Sequence, residues 1–142
     1  IEHGANVKVV SIPQGETPLH IACHGSSVTN LEFVELLLEK GADPNFRNHL
    51  GKTPLINTAP DAPGVAKFLL NWPTTDVNIT TRSGVSFLAR VRGLSTVYFN
   101  LAAYSDNPQR VHQHQFLLRQ WREIEEIVVV KGAHDTGITE FE

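Results

Sequence analysis

Apolar residues recur along this chain in short bursts with helical spacing, separated by breaks rich in glycine and proline. Leu31, Val34, Leu37 and Leu38 fall on one face with glutamates opposite, which predicts an amphipathic helix stopped by Gly41. Thr29 or Asn30 is placed to cap that helix. Upstream, Thr17-Pro18 opens a shorter helix that ends near Gly25-Ser-Ser27. The threonine serves as cap, and the proline sits where a helix needs no N–H. Val7 to Ile12 alternate poorly, but Pro13-Gln-Gly15 is turn chemistry and predicts a hairpin. After Pro60-Asp-Ala-Pro-Gly64, a further short helix is expected from Val65 to Trp72, ending before Pro73.

The second half of the chain has longer periodicity. Val97, Tyr98, Leu101 and Ala102 keep helical spacing, and Asn107-Pro108 is a cap followed by a first-turn proline. From there Leu117, Trp121, Ile124 and Val128 form one unbroken apolar stripe. The pattern predicts an elongated helical hairpin, residues 86–104 and 108–131, with Gly93 as a kink point and Tyr98, Tyr104, Phe116 and Trp121 on its apolar stripe.

Two stretches repeat each other. Gly15-Glu-Thr-Pro-Leu-His-Ile-Ala22 and Gly51-Lys-Thr-Pro-Leu-Ile-Asn-Thr58 share glycine, Thr-Pro and leucine in the same order. Asp76-Val-Asn78 follows Asp43-Pro-Asn45 by 33 residues, and Ser83-Gly-Val-Ser-Phe-Leu88 follows Leu50-Gly-Lys-Thr-Pro-Leu55 by 33. Glu123-Ile-Glu-Glu-Ile-Val-Val-Val-Lys-Gly-Ala133 matches Glu32-Phe-Val-Glu-Leu-Leu-Leu-Glu-Lys-Gly-Ala42 position by position. Gly84 to Gly132 spans 48 residues, so 22 to 25 are inserted. A period in the thirties is the mark of a stacked array.

The pattern resembles the ankyrin repeat, whose signature is Gly-x-Thr-Pro-Leu-His-x-Ala followed by Leu-Leu-x-x-Gly-Ala. The resemblance covers residues 1–92 and 123–134. It implies an α solenoid of stacked repeats, each a β-hairpin or loop followed by two antiparallel helices, with an elongated hairpin in the last. The expected organisation is a single domain. Residues 1–6 are the tail of a preceding repeat, 7–43 and 44–76 are repeats, 77–134 is a degenerate repeat with an insertion at about 94–120, and 135–142 is a tail. Ile1-Glu-His-Gly-Ala5, which resembles the end of an earlier repeat, and the absence of methionine lead to the expectation of a chain cut from something longer. Thr17, Pro18, His20, Gly41, Thr53, Pro54 and Gly132 are the motif residues, with His20 bonding back to Thr17 and across to the neighbouring repeat. The family pattern puts partner contacts at Pro13, Gln14, Glu16, His24, His49, Leu50, Lys52, Asp61, Arg82, Ser83 and Val85, with Arg92 as the third-repeat equivalent.

Charge sharpens this reading. From Arg82 to Arg122 there are six arginines and one acid, Asp106, giving +5; the remainder holds six Lys/Arg and fourteen Asp/Glu, giving −8. The basic segment has three readings: a solvated helix surface, a docking face for an acidic protein, and, last, a nucleic-acid contact through Arg110, Arg119 and Arg122. One cysteine excludes an internal disulfide, and no apolar run is long enough for a leader or membrane span, so an intracellular setting is expected. His20, Cys23 and His24 share a turn but fall short of four metal ligands. His112 and His114 point about 200° apart on a helix, and His134-Asp135 is a pair by adjacency alone. No phosphate-cradling loop, nucleophile elbow or Cys-x-x-Cys occurs. The expectation is a non-catalytic module without cofactor or metal. It is a scaffold or adaptor binding a protein partner on its concave face, or a regulatory or substrate-recognition module of a larger enzyme, channel or transcription factor, whose partner includes other domains of the same polypeptide.

Overall fold

Five helices stand in a computed structural model that describes residues 7–25 and 28–132, without the side chains of Val28 and Thr29. The expectations for residues 1–6, for His134-Asp135 and for the 135–142 tail lie outside those residues. Helices α1 (Pro18–His24) and α2 (Val28–Glu39) pack together, α3 (Pro63–Asn71) lies against α2, and α5 (Pro108–Val130) lies against α3 and α4 (Phe87–Tyr104). The long hairpin is therefore helical along both arms, and α4 passes through Gly93 without a break.

Local chemistry sets the helix ends. Thr17 caps α1 by accepting from the His20 N–H, Ser86 caps α4 by accepting from the Ala89 N–H, and Asn107 caps α5 by accepting from Gln109 and Arg110. Three expectations need correction. Asn30 lies inside α2 and donates to the Ala22 carbonyl, so it is no cap; Thr29 is likewise inside the helix. The third helix starts two residues earlier and ends one earlier than expected, with Trp72 as its C-cap.

The larger correction is in the second repeat, where the inner helix is a single turn. The Asn57 N–H reaches the Thr53 carbonyl and then the chain turns away. Asn57 and Thr58 are weak helix formers, and Pro60 supplies no N–H to extend the ladder. The released Pro60 carbonyl accepts the indole N–H of Trp121 at 2.7 Å, from the middle of α5.

No strand occurs among the described residues. Each expected hairpin is a tight loop whose strand-like pairing is a single bond: Ser11 N–H to Glu16 O, Asn48 N–H to Lys52 O, and Thr81 N–H to Val85 O. One rung is too little for a ladder. The turn glycines of the last two loops, Gly51 and Gly84, have φ of 77° and 86°. At Gly51 a Cβ would also lie 2.7 Å from the Arg82 backbone nitrogen, because the next loop crosses directly over it.

The core is one continuous seam running from Val34, Leu37 and Leu38 through Leu55, Leu69 and Leu70 to Leu88, Leu94, Ile124 and Val128. Trp121 is completely buried in it, while Leu101, expected on the stripe, is 44% exposed.

Candidate functional site

The three loops form a hydrogen-bonded stair. The His49 N–H donates to the Gln14 carbonyl at 2.9 Å, and one repeat later the Arg82 N–H donates to the Leu50 carbonyl at 3.0 Å. Gln14 and Leu50 each precede the turn glycine of their loop, so the same bond is made twice in the same register. The His49 ring adds a bond to the Pro13 carbonyl. Arg47 reaches the Thr80 carbonyl at 3.0 Å.

His20 braces the stair from beneath. The Thr17 backbone N–H can only donate, and it meets His20 Nδ1 at 3.3 Å, which puts the ring proton on Nε2. Nε2 then donates to the Lys52 carbonyl at 2.8 Å, tying the first helix to the second loop. Burial, opposed by the Lys52 carbonyl and by Glu16, lowers the pKa of this ring from its ordinary value. His24, in contrast, is exposed and meets the Asn57 carbonyl at 3.2 Å. Cys23 is fully buried, and loss of solvent pushes its thiol up to about 12. Among the described residues no group of three or more His, Cys, Asp and Glu side chains could hold a metal ion. No described helix is long and apolar enough to cross a membrane.

The far edge carries a second stair. Asn45 donates to the Thr74 carbonyl at 2.7 Å and accepts from the Asp76 N–H, while Asn78 donates to the Gly132 carbonyl at 3.3 Å. Both asparagines sit in Asp-x-Asn turns closed on the preceding aspartate. Thr74 and Gly132 occupy the place of Gly41 in their repeats, so these bonds keep the register across the insertion. The 33-residue echo of Asp-x-Asn was the visible signal. Arg90 gave none: it is 7% exposed and donates to the Thr58 carbonyl at 2.8 Å, filling space that the truncated helix leaves.

The sequence-derived contact positions divide. Pro13, Gln14, His49, Leu50, Arg82 and Ser83 are exposed on the loop stair, with Leu50 at 61%. Glu16 and Lys52 are half-buried beside it, and His24 and Asp61 are exposed at the opposite helix ends. Val85 does not belong with them, since its side chain is 7% exposed and packs inward. Arg92 stands apart on α4, paired with Glu125 of α5 at 2.8 Å.

A family model described as Ankyrin repeat matches residues 14–49. The chain is 37% identical over 87 residues to Neurogenic locus notch homolog protein 4 of Homo sapiens, covering 61% of this chain and 4% of that protein. It is 32% identical over 87 residues to Neurogenic locus Notch protein of Drosophila melanogaster, covering 61% and 3%. It is 42% identical over 59 residues to Zinc finger CCCH domain-containing protein 56 of Arabidopsis thaliana, covering 40% and 8%. The chain thus spans less than a tenth of the length of these relatives. Ankyrin repeats are generally protein–protein interaction modules and generally non-catalytic. The Thr-Pro-Leu-His motif at Thr17 to His20 lies inside the matched stretch, the His20 brace is built on it, and residues 14–49 are an ankyrin repeat.

Proposed function

We propose that this chain is a protein-docking module whose partner lies along the loop stair, contacting Pro13, Gln14, His49, Leu50, Arg82 and Ser83. The observation that carries the reading is the twofold use of one backbone bond to fix three loops, while the side chains of Gln14, Leu50 and Arg82 at their tips are exposed to solvent. A pre-set backbone spares a binding surface the entropy of ordering loops. Leu50 is the exposed apolar centre of the row and Arg82 its charged end, arginine being a residue type from which energetic anchors are commonly drawn. Val85 is left out because it is buried. The relatives carry their matching segments within far longer chains, which favours a regulatory or recognition role inside a larger protein as well as a free-standing adaptor.

The test is affinity capture with the chain and with Leu50→Ala/Arg82→Ala, paired with thermal melts. Proteins held by the parent should be lost by the variant, with stability changed by no more than about 0.5 kcal/mol, as for exposed substitutions. An unchanged set of captured proteins at equal folding overturns the proposed face.

A further inference from the structure

The basic half of α5 carries its arginines at exposed positions. Trp121 meets the Pro60 carbonyl just before α3 begins, so roughly twelve residues of α5, about 18 Å of helix, rise beyond α3 with α4 alone as support. Between Pro108 and Arg122 the sequence holds three arginines, two histidines and no acid. Glu123, Glu125 and Glu126 follow at once, so cations occupy the start of the helix and anions its later turns. The helix dipole acts on the first and last turns, so among these arginines it touches Arg110 alone, and unfavourably. The four-residue spacing of Arg119 to Glu123 and of Arg122 to Glu126 supports the helix weakly, but such exposed neighbours do not take up the guanidiniums.

Nor do ion pairs within the described residues. Arg92 pairs with Glu125 and Arg90 serves the Thr58 carbonyl, but Arg110, Arg119 and Arg122 hold no such contact. His112, Gln115, Phe116, Arg119 and Arg122 are all exposed, and their three- and four-residue spacing sets them on one face of α5. Phe116 is 54% exposed, although its spacing predicted burial on the stripe; Tyr104 at the hairpin tip is 84% exposed and Phe99 on α4 54%. Arg122 and Phe99 line one shallow groove between the two helices.

The geometry points to a second docking surface on this hairpin, separate from the loop stair, that takes an acidic stretch of a protein chain. Carboxylates of the partner pair with Arg119 and Arg122, and an apolar side chain set between acids rests on Phe116. Charge complementarity selects the occupant. From Pro108 to Arg122 the chain holds three arginines and no acid, a local +3, so an acidic partner is steered to this part of the hairpin. A nucleic acid fits less well: no RNA- or DNA-binding motif accompanies these arginines, and the two on the shared face offer few phosphate contacts.

The experiment uses the whole 142-residue chain and a fluorescent probe peptide of about ten residues, glutamates flanking a central leucine, read by anisotropy at low salt. The parent should bind it, Arg119→Glu/Arg122→Glu should weaken binding about tenfold or more, and Phe116→Ala should weaken it about threefold. Arg119→Gln/Arg122→Gln, which only removes charge, serves if the reversed charges disturb folding, and Leu50→Ala/Arg82→Ala should bind like the parent. Equal binding by the arginine variants, no binding by the parent, or tighter binding of an oligothymidine than of the peptide at the same salt overturns the proposal. Loss of binding in the Leu50/Arg82 variant alone would move the peptide to the loop stair and also overturn it.

Discussion

Replacing Trp121 by alanine removes the part of the molecule that joins its two halves. The indole is completely buried and its N–H donates to the Pro60 carbonyl at 2.7 Å, where the second repeat's inner helix breaks off. Truncating a buried tryptophan to alanine costs about 3–5 kcal/mol through lost transfer energy and the cavity left behind. The stranded Pro60 carbonyl adds to that, since an unpaired buried acceptor costs about 1–3 kcal/mol. A domain of this size holds about 5–15 kcal/mol in total. Because repeats depend on their neighbours, the loss should not spread evenly: α4 and α5 should unfold before α1 to α3. Circular dichroism in urea should show an early transition in Trp121→Ala where the parent has one. Trp121→Phe keeps most of the buried ring but not the donor, and should cost about 1–2 kcal/mol. Trp72, the other tryptophan, is half-buried at the end of α3 and reports that helix by fluorescence in either variant. An alanine variant that melts within about 2 °C of the parent would refute the reasoning, because several kcal/mol must move the midpoint by far more.

His20 ties stability to pH with a definite sign. Burial holds its folded pKa below the ordinary 6.5, so the neutral ring is favoured in the fold; its contribution is full above pH 6.5 and is lost as pH falls through the folded value. His20→Ala should lower the melting temperature at pH 7.5 and flatten the pH dependence below 6.5, and a melting temperature equal to the parent's at both pH values would refute this. A chelator should leave the parent unchanged. Cys23, fully buried with its thiol at about 12, should react with iodoacetamide only when the chain is unfolded, and prompt labelling of the folded protein would count against the packing.

The sequence by itself determined the order of helices, most of their ends and the period. Those are local matters: Thr17 and Asn107 cap because their own side chains reach the next turn, and Leu117, Trp121, Ile124 and Val128 share a face because of helix geometry. The same stripe logic placed Tyr104 and Phe116 inward, and it failed because their burial depends on the height of α3, a neighbour that stops short. Val85 failed in the opposite sense, as its position suits a loop contact while its side chain fills the core. The truncated helix at Pro54–Asn57 was half visible in Pro60, but nothing local showed that Trp121 and Arg90 would serve the carbonyls it releases. The contact row was legible only as a set of positions. Tertiary structure decided which of them are exposed, because exposure is a property of what packs alongside, and spacing along one helix carries no record of its neighbour's length.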